Sequence, residues 1–161
     1  GIANDTRDIY SQITTVAEHS GNMARAESLI SSMQQDIAQH TASLREQLQG
    51  KVAVFYSSNG FSYGSFTLQD EFIRSLGMHN AAAHLQGPAQ LSLEVLLLAK
   101  PDYIFINPPA HSDELLAHPL LQHPALAALK QQGKVLELAD AYFQCAGPAY
   151  VQAYNDLARQ L

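Results

Sequence analysis

Tryptophan is absent from this chain of 161 residues, and cysteine occurs once, at Cys145. A lone cysteine excludes an internal disulfide. Basic residues are scarce as well: nine Lys and Arg stand against fifteen Asp and Glu, for a formal net charge of -6. Such a chain has no basic face with which to displace counterions from phosphates, which excludes nucleic acid as a partner. No apolar run is long enough to span a bilayer; the longest, LSLEVLLLAK, is interrupted by Glu94 and Lys100. Low-complexity tracts and repeats at a solenoid period are also missing. The chain opens on Gly1 rather than Met, which reads as a processed chain or a piece of a longer one.

What is present is a composition that folds. With 47% hydrophobic and 15% charged residues, the chain can bury a core of one domain, with or without an appendage. Residues 1–50 form a distinct region. Ile9, Ile13 and Val16 recur at helical spacing, and HSGN then breaks the run. Asn22 is placed to cap a second helix, whose stripe is Ala26, Leu29, Ile30, Met33, Ile37, Leu44 and Leu48, with Gly50 as the stop. At 1.5 Å per residue that helix is about 40 Å long, more than a small domain needs. It is either an ordinary packing helix or a rigid connector between two lobes.

From Lys51 onward, strand and helix patterns alternate. KVAVFY, YIFIN and KVLELA read as strands. TLQDEFIRSLG reads as a helix opened by Thr67 with Asp70 three residues on, and closed by Gly77. SLEVLLLAK is a helix capped by Ser92 and ended before Pro101. SDELLAHPLLQHPALAALKQQG holds one or two short helices jointed at Pro119 and Pro124, and AYVQAYNDLARQL is the last helix. This order predicts an α/β fold with a parallel sheet and helices on both faces.

Ligands of such sheets bind beyond the carboxyl ends of the strands. Those ends are residues 57–66, 107–113 and 140–148, and none of the three stretches holds a Lys or Arg. The first, SSNGFSYGSF, looks at first like a phosphate loop. Gly60 and Gly64 have three residues between them and no lysine following, so neither the dinucleotide nor the P-loop spacing is met. Phe61, Tyr63 and Phe66 instead offer flat apolar faces to a large ligand, or pack into the core. His111, His118 and His123 share one segment, but their spacing matches no closed metal set, and prolines follow the last two. Cys145 stands where a helix begins, yet no base is positioned for it to act as a nucleophile. Glu94 complements the dipole of its helix or faces a partner.

Taken in order, these pieces resemble a known family. The long helix, the SLE-x6-PD-x-I motif (Ser92 to Ile104), the G-x-x-N-x-A element (Gly77 to Ala82) and KVLELADAYFQCAGP look like the second lobe of a periplasmic substrate-binding protein. The group is the helical-backbone class of ABC importers for ferric siderophores, haem and vitamin B12. The resemblance covers nearly the whole chain. It implies that 1–21 is the end of a first lobe or a linker, 22–50 the inter-lobe helix, and 51–161 a C-terminal Rossmann-like α/β lobe. It also implies a binding protein rather than an enzyme, with no cofactor or metal of its own, periplasmic or lipid-anchored at the outer face of a membrane.

Its partners would then be an ABC permease of the inner membrane and an iron or cobalt chelate as a small-molecule ligand. The ligand would lie against Asn59, Phe61, Tyr63, Phe66, Tyr142 and Phe143, with the loop glycines making room for its bulk. Glu94 would dock on the permease. Members that bind anionic catecholates commonly use cleft arginines, which these loops lack. That leaves a hydroxamate chelate, a corrinoid, or a haem met by Tyr63 or His111, unless another lobe supplies the positive charge. The rival readings are a cytosolic α/β enzyme using Cys145 and a histidine-based zinc or manganese receptor.

Overall fold

The computed structural model describes residues 3–108, 122–144 and 147–161. The expected helix before Pro119, together with His111, His118 and Cys145, falls outside the described residues. The chain begins with α1 (Thr6–Ser20), whose N-cap Asp5 accepts a hydrogen bond from the backbone N–H of Asp8. A reversal at Gly21, with φ +70°, leads into α2 (Met23–Leu48). The 26 residues of α2 make it about 39 Å long. Asn22 does not cap it with its side chain, contrary to expectation. The turn leaves Asn22 at φ -111° and ψ 40°, away from the extended backbone that aims a capping oxygen, and its amide donates to the carbonyl of Ser20 instead.

After α2 come β1 (Val52–Phe55), β2 (Phe61–Tyr63), α3 (Leu68–Ser75), β3 (His79–Asn80), β4 (Pro88–Gln90), α4 (Leu93–Leu98) and β5 (Tyr103–Ile106). The chain ends with α5 (Pro124–Gln131), β6 (Val135–Glu137), α6 (Ala141–Gln144) and α7 (Ala149–Gln160). Four strands form a parallel sheet in the order β3-β1-β5-β6, while β2 and β4 make a separate antiparallel ribbon. Pro124 opens α5, where its missing N–H costs no hydrogen bond.

Alternation along the strands divides the core in two, because successive side chains point to opposite faces. Ala53, Phe55 and Phe105 pack with Ile9 of α1, Met33, Leu44 and Leu48 of α2, Phe72 of α3, and Tyr150 and Tyr154 of α7. Val54, Tyr56 and Ile104 pack on the other face with Leu96 of α4 and Leu126 of α5. The parallel sheet covered by helices on both faces is therefore as the sequence pattern predicts.

Residues ahead of the long helix join the first of these cores. Ile9 is fully buried, and Glu71 of α3 accepts hydrogen bonds from the backbone N–H of Thr6 at 2.7 Å and its hydroxyl at 2.9 Å. Within the stripe of α2, Ala26, Met33, Leu44 and Leu48 are buried, Ile30 and Ile37 are half-buried, and Leu29 is exposed. Asp102 explains part of the PD-x-I motif. Its carboxylate accepts from the backbone N–H of Val52 at 2.8 Å, while its own N–H donates to the carbonyl of Val52 at 2.7 Å, tying β5 to the start of β1.

Candidate functional site

Parallel pairing brings the carboxyl ends of β1, β5 and β6 to one edge, with Phe55 opposite Phe105 and Ile106 opposite Glu137. The loops that leave this edge are joined to each other. The N–H of Asp140 donates to the side-chain oxygen of Asn107 at 2.8 Å, which fixes the start of α6 against the loop after β5.

The glycine loop is a folded element in its own right. Residues 57–60 make a tight turn, with the N–H of Gly60 on the carbonyl of Ser57 and Gly60 at φ +76°. At Gly64 a Cβ would stand 2.2 Å from the carbonyl oxygen of Leu85, so only glycine allows that approach. The room at Gly64 is taken by the chain's own backbone, which corrects the expectation that both glycines make space for a ligand.

Asn80 organises this region. Its side-chain nitrogen donates to the carbonyl of Tyr63 and to a carboxylate oxygen of Asp70, each at 2.9 Å, and its oxygen accepts from the N–H of Ala82 at 2.9 Å. Thr67 caps α3 through the N–H of Asp70 and donates its hydroxyl to the carbonyl of Gly64 at 2.8 Å. Asp70 does not complete the expected capping box, since its carboxylate is engaged by Asn80 and by Arg74 at 2.8 Å. These buried bonds turn the G-x-x-N-x-A element into a fastener for the aromatic loop.

The rings named from the sequence have separate fates. Phe66 is 72% exposed and holds φ +66°, a left-handed conformation that is costly for a bulky side chain. Its neighbours impose it: Ser65 bonds to the backbones of Leu85 and Gly87 on one side, and Thr67 is buried on the other. Phe61 and Asn59 are exposed in the adjoining hairpin. Tyr63 is half-buried, edge-on to Phe55 with ring centroids 6.4 Å apart. Phe143 departs from its expected place, being 5% exposed with edge contacts to Phe55, Phe72 and Tyr150. In so short a helix only one of two adjacent rings can face inward, and Phe143 is core. Tyr142 stays half-exposed, lines a shallow depression of about 350 Å³ with Pro108, Ala139 and Arg159, and donates its hydroxyl to Asp156.

At this edge electrostatics mark Asp140, which sequence reasoning covered only as part of the 140–148 stretch. Asp140 is half-buried after β6, and desolvation pushes its carboxyl above the usual range. Burial, then the charge of Asp140, raises the Tyr63 phenol. Asp140 was legible as a position at a strand's carboxyl end, but its burial depends on packing. Asn80 had the motif as its signal. Glu94 is exposed on the first turn of α4, with Val95 and Leu98 also exposed and Leu96 buried behind them. Among the described residues, no three His, Cys, Asp or Glu gather as a metal site, and no helix is long and apolar enough to cross a membrane.

A family model described as "Periplasmic binding protein" matches residues 2–142. The chain belongs to the periplasmic binding protein family. No curated protein matches it in sequence. Among solved structures, an ABC-type Fe3+-hydroxamate transport system from Saccharomonospora viridis superposes with a TM-score of 0.80 at 19% identity, covering 99% of this chain and 57% of that one. The periplasmic heme-binding protein RhuT from Roseiflexus sp. RS-1 gives 0.77 at 27% identity, covering 98% and 63%. The vitamin B12 binding protein BtuF of Vibrio cholerae gives 0.77 at 16%, covering 98% and 62%. This periplasmic binding protein chain thus spans about three fifths of each neighbour's length. The family consists of binding proteins rather than enzymes.

Proposed function

We propose that this chain is the ligand-contacting and permease-facing lobe of an ABC importer's solute-binding protein, in the periplasm or anchored at the outer face of a membrane. Its cargo is a metal chelate: a ferric siderophore of hydroxamate type, a corrinoid or haem. The observation that carries the reading is Phe66, a large ring held into solvent by strained backbone at the carboxyl edge of the sheet. Strain of this kind persists where surrounding structure imposes it, and it concentrates at ligand clamps.

Phe66, Phe61 and the free face of Tyr63 form the apolar walls, with Asn59 at the turn and Tyr142 across the edge. Phe143 supports them from the core. The long α2 serves as a stiff spacer to a second lobe, so that capture is a small closure of two rigid bodies over the chelate. Glu94 presents a carboxylate to a cationic pocket on the permease.

Calorimetry suits the test, because the chain has no tryptophan to report binding. A panel of ferric trihydroxamate, cobalamin and haem is titrated into the protein. The expected result is binding of one of these at about 1 μM or tighter. Absence of binding to every chelate, or tight binding of free zinc or manganese instead, would sink the proposal.

A further inference from the structure

The carboxylate of Asp140 sits half-buried on the edge where the ligand would lie, and takes no hydrogen bond or ion pair from any described residue. Its backbone N–H is fixed by Asn107 at 2.8 Å, and its carbonyl accepts from the N–H groups of Phe143 and Gln144, so the residue is held in place. Tyr63, close enough to feel this charge, has a hydroxyl that is likewise without a partner among the described residues. The described residues of the three edge loops contain no Lys or Arg to balance them.

We propose that Asp140, on the edge it shares with the loop that carries Tyr63, selects chelates that turn a hydrogen-bond donor or a positive charge toward this lobe, and rejects those with an anionic periphery. The inference rests on the chelate-binding reading above. A ligand that covers this edge removes water from the carboxylate, and a buried charge left without a donor weakens binding. A protonated amine, a hydroxyl or an amide N–H on the chelate would supply that donor. A carboxylate or catecholate at the same place would add a second negative charge to the first.

A matched pair of probes isolates the effect: a ferric linear trihydroxamate with a free terminal ammonium, and the same chelate N-acetylated. Haem, with its two carboxylates, is the anionic comparison. The protein should bind the ammonium form about tenfold tighter than the acetylated form. Asp140→Asn should erase that preference and improve haem binding, with an unchanged melting profile as the folding control. Tyr63→Phe should weaken both hydroxamates by a smaller factor. The proposal is overturned if Asp140→Asn leaves the preference intact, or if haem binds the parent protein more tightly than the ammonium chelate. If these probes and cobalamin all fail to bind, the chelate-binding reading itself falls and this inference with it; if cobalamin alone binds, this inference falls and that reading stands.

Discussion

The side-chain nitrogen of Asn80 lies 2.9 Å from both the carbonyl oxygen of Tyr63 and a carboxylate oxygen of Asp70. One amide thereby joins the aromatic loop to the first turn of α3. Asn80→Ala strips the buried Asp70 of one donor and leaves the Tyr63 carbonyl unbonded. The expected cost is about 2–3 kcal/mol of unfolding free energy, measured by urea denaturation. A loss below about 0.5 kcal/mol would show that the bridge does not hold the loop.

Phe66 separates stability from binding. Phe66→Gly removes the left-handed strain and an exposed ring with little packing to lose. It should be more stable than Phe66→Ala by about 1 kcal/mol, since alanine keeps the strain. Both variants should lose chelate affinity to a similar degree. Equal stabilities would mean the backbone is not strained at this position, and unchanged affinities would remove the ring from the binding surface.

Glu94 is a surface residue, so Glu94→Ala should change stability by no more than about 0.5 kcal/mol. If Glu94 docks on the permease, uptake in cells should be lost while chelate affinity in solution stays the same. A drop in affinity would place Glu94 at the ligand and refute the docking role.

Asp140 carries a pH signature of its own. Its carboxyl is raised by desolvation in the folded state, so the native protein binds more protons than the unfolded chain between the ordinary carboxylate range and the raised value. Stability from this group is complete below that window and is lost as pH rises through it. Asp140→Asn should therefore exceed the parent protein in stability at neutral pH, with the difference shrinking as the pH is lowered into the carboxylate range. Thermal melts across pH 3–8, roughly the span in which a carboxyl of this kind titrates, would measure it. A variant less stable than the parent at neutral pH contradicts the unpaired carboxylate.

Much of the fold is legible along the chain because its signals are local. Thr67 and Ser92 cap their helices through their own side chains, and the alternation in β1 and β5 sends residues to two cores. The ribbon of β2 and β4 is not legible in this way. FSY and PAQ are three residues each and pair across 29 positions at the Phe61–Gln90 end. The two-residue β3 is equally silent, since among the described residues it pairs with β1 alone.

By itself the sequence determined the α/β class, the long helix, the positions of the caps and an edge without cations, because each of these depends on residue type at near-neighbour spacing. Only the tertiary structure decided which of two adjacent rings, Tyr142 or Phe143, enters the core, and that Gly64 yields its space to Leu85. It alone left the Asp140 carboxylate half-buried without a partner among the described residues, and Phe66 strained into solvent. Those outcomes depend on what segments distant in sequence present to one another, which residue types alone do not specify.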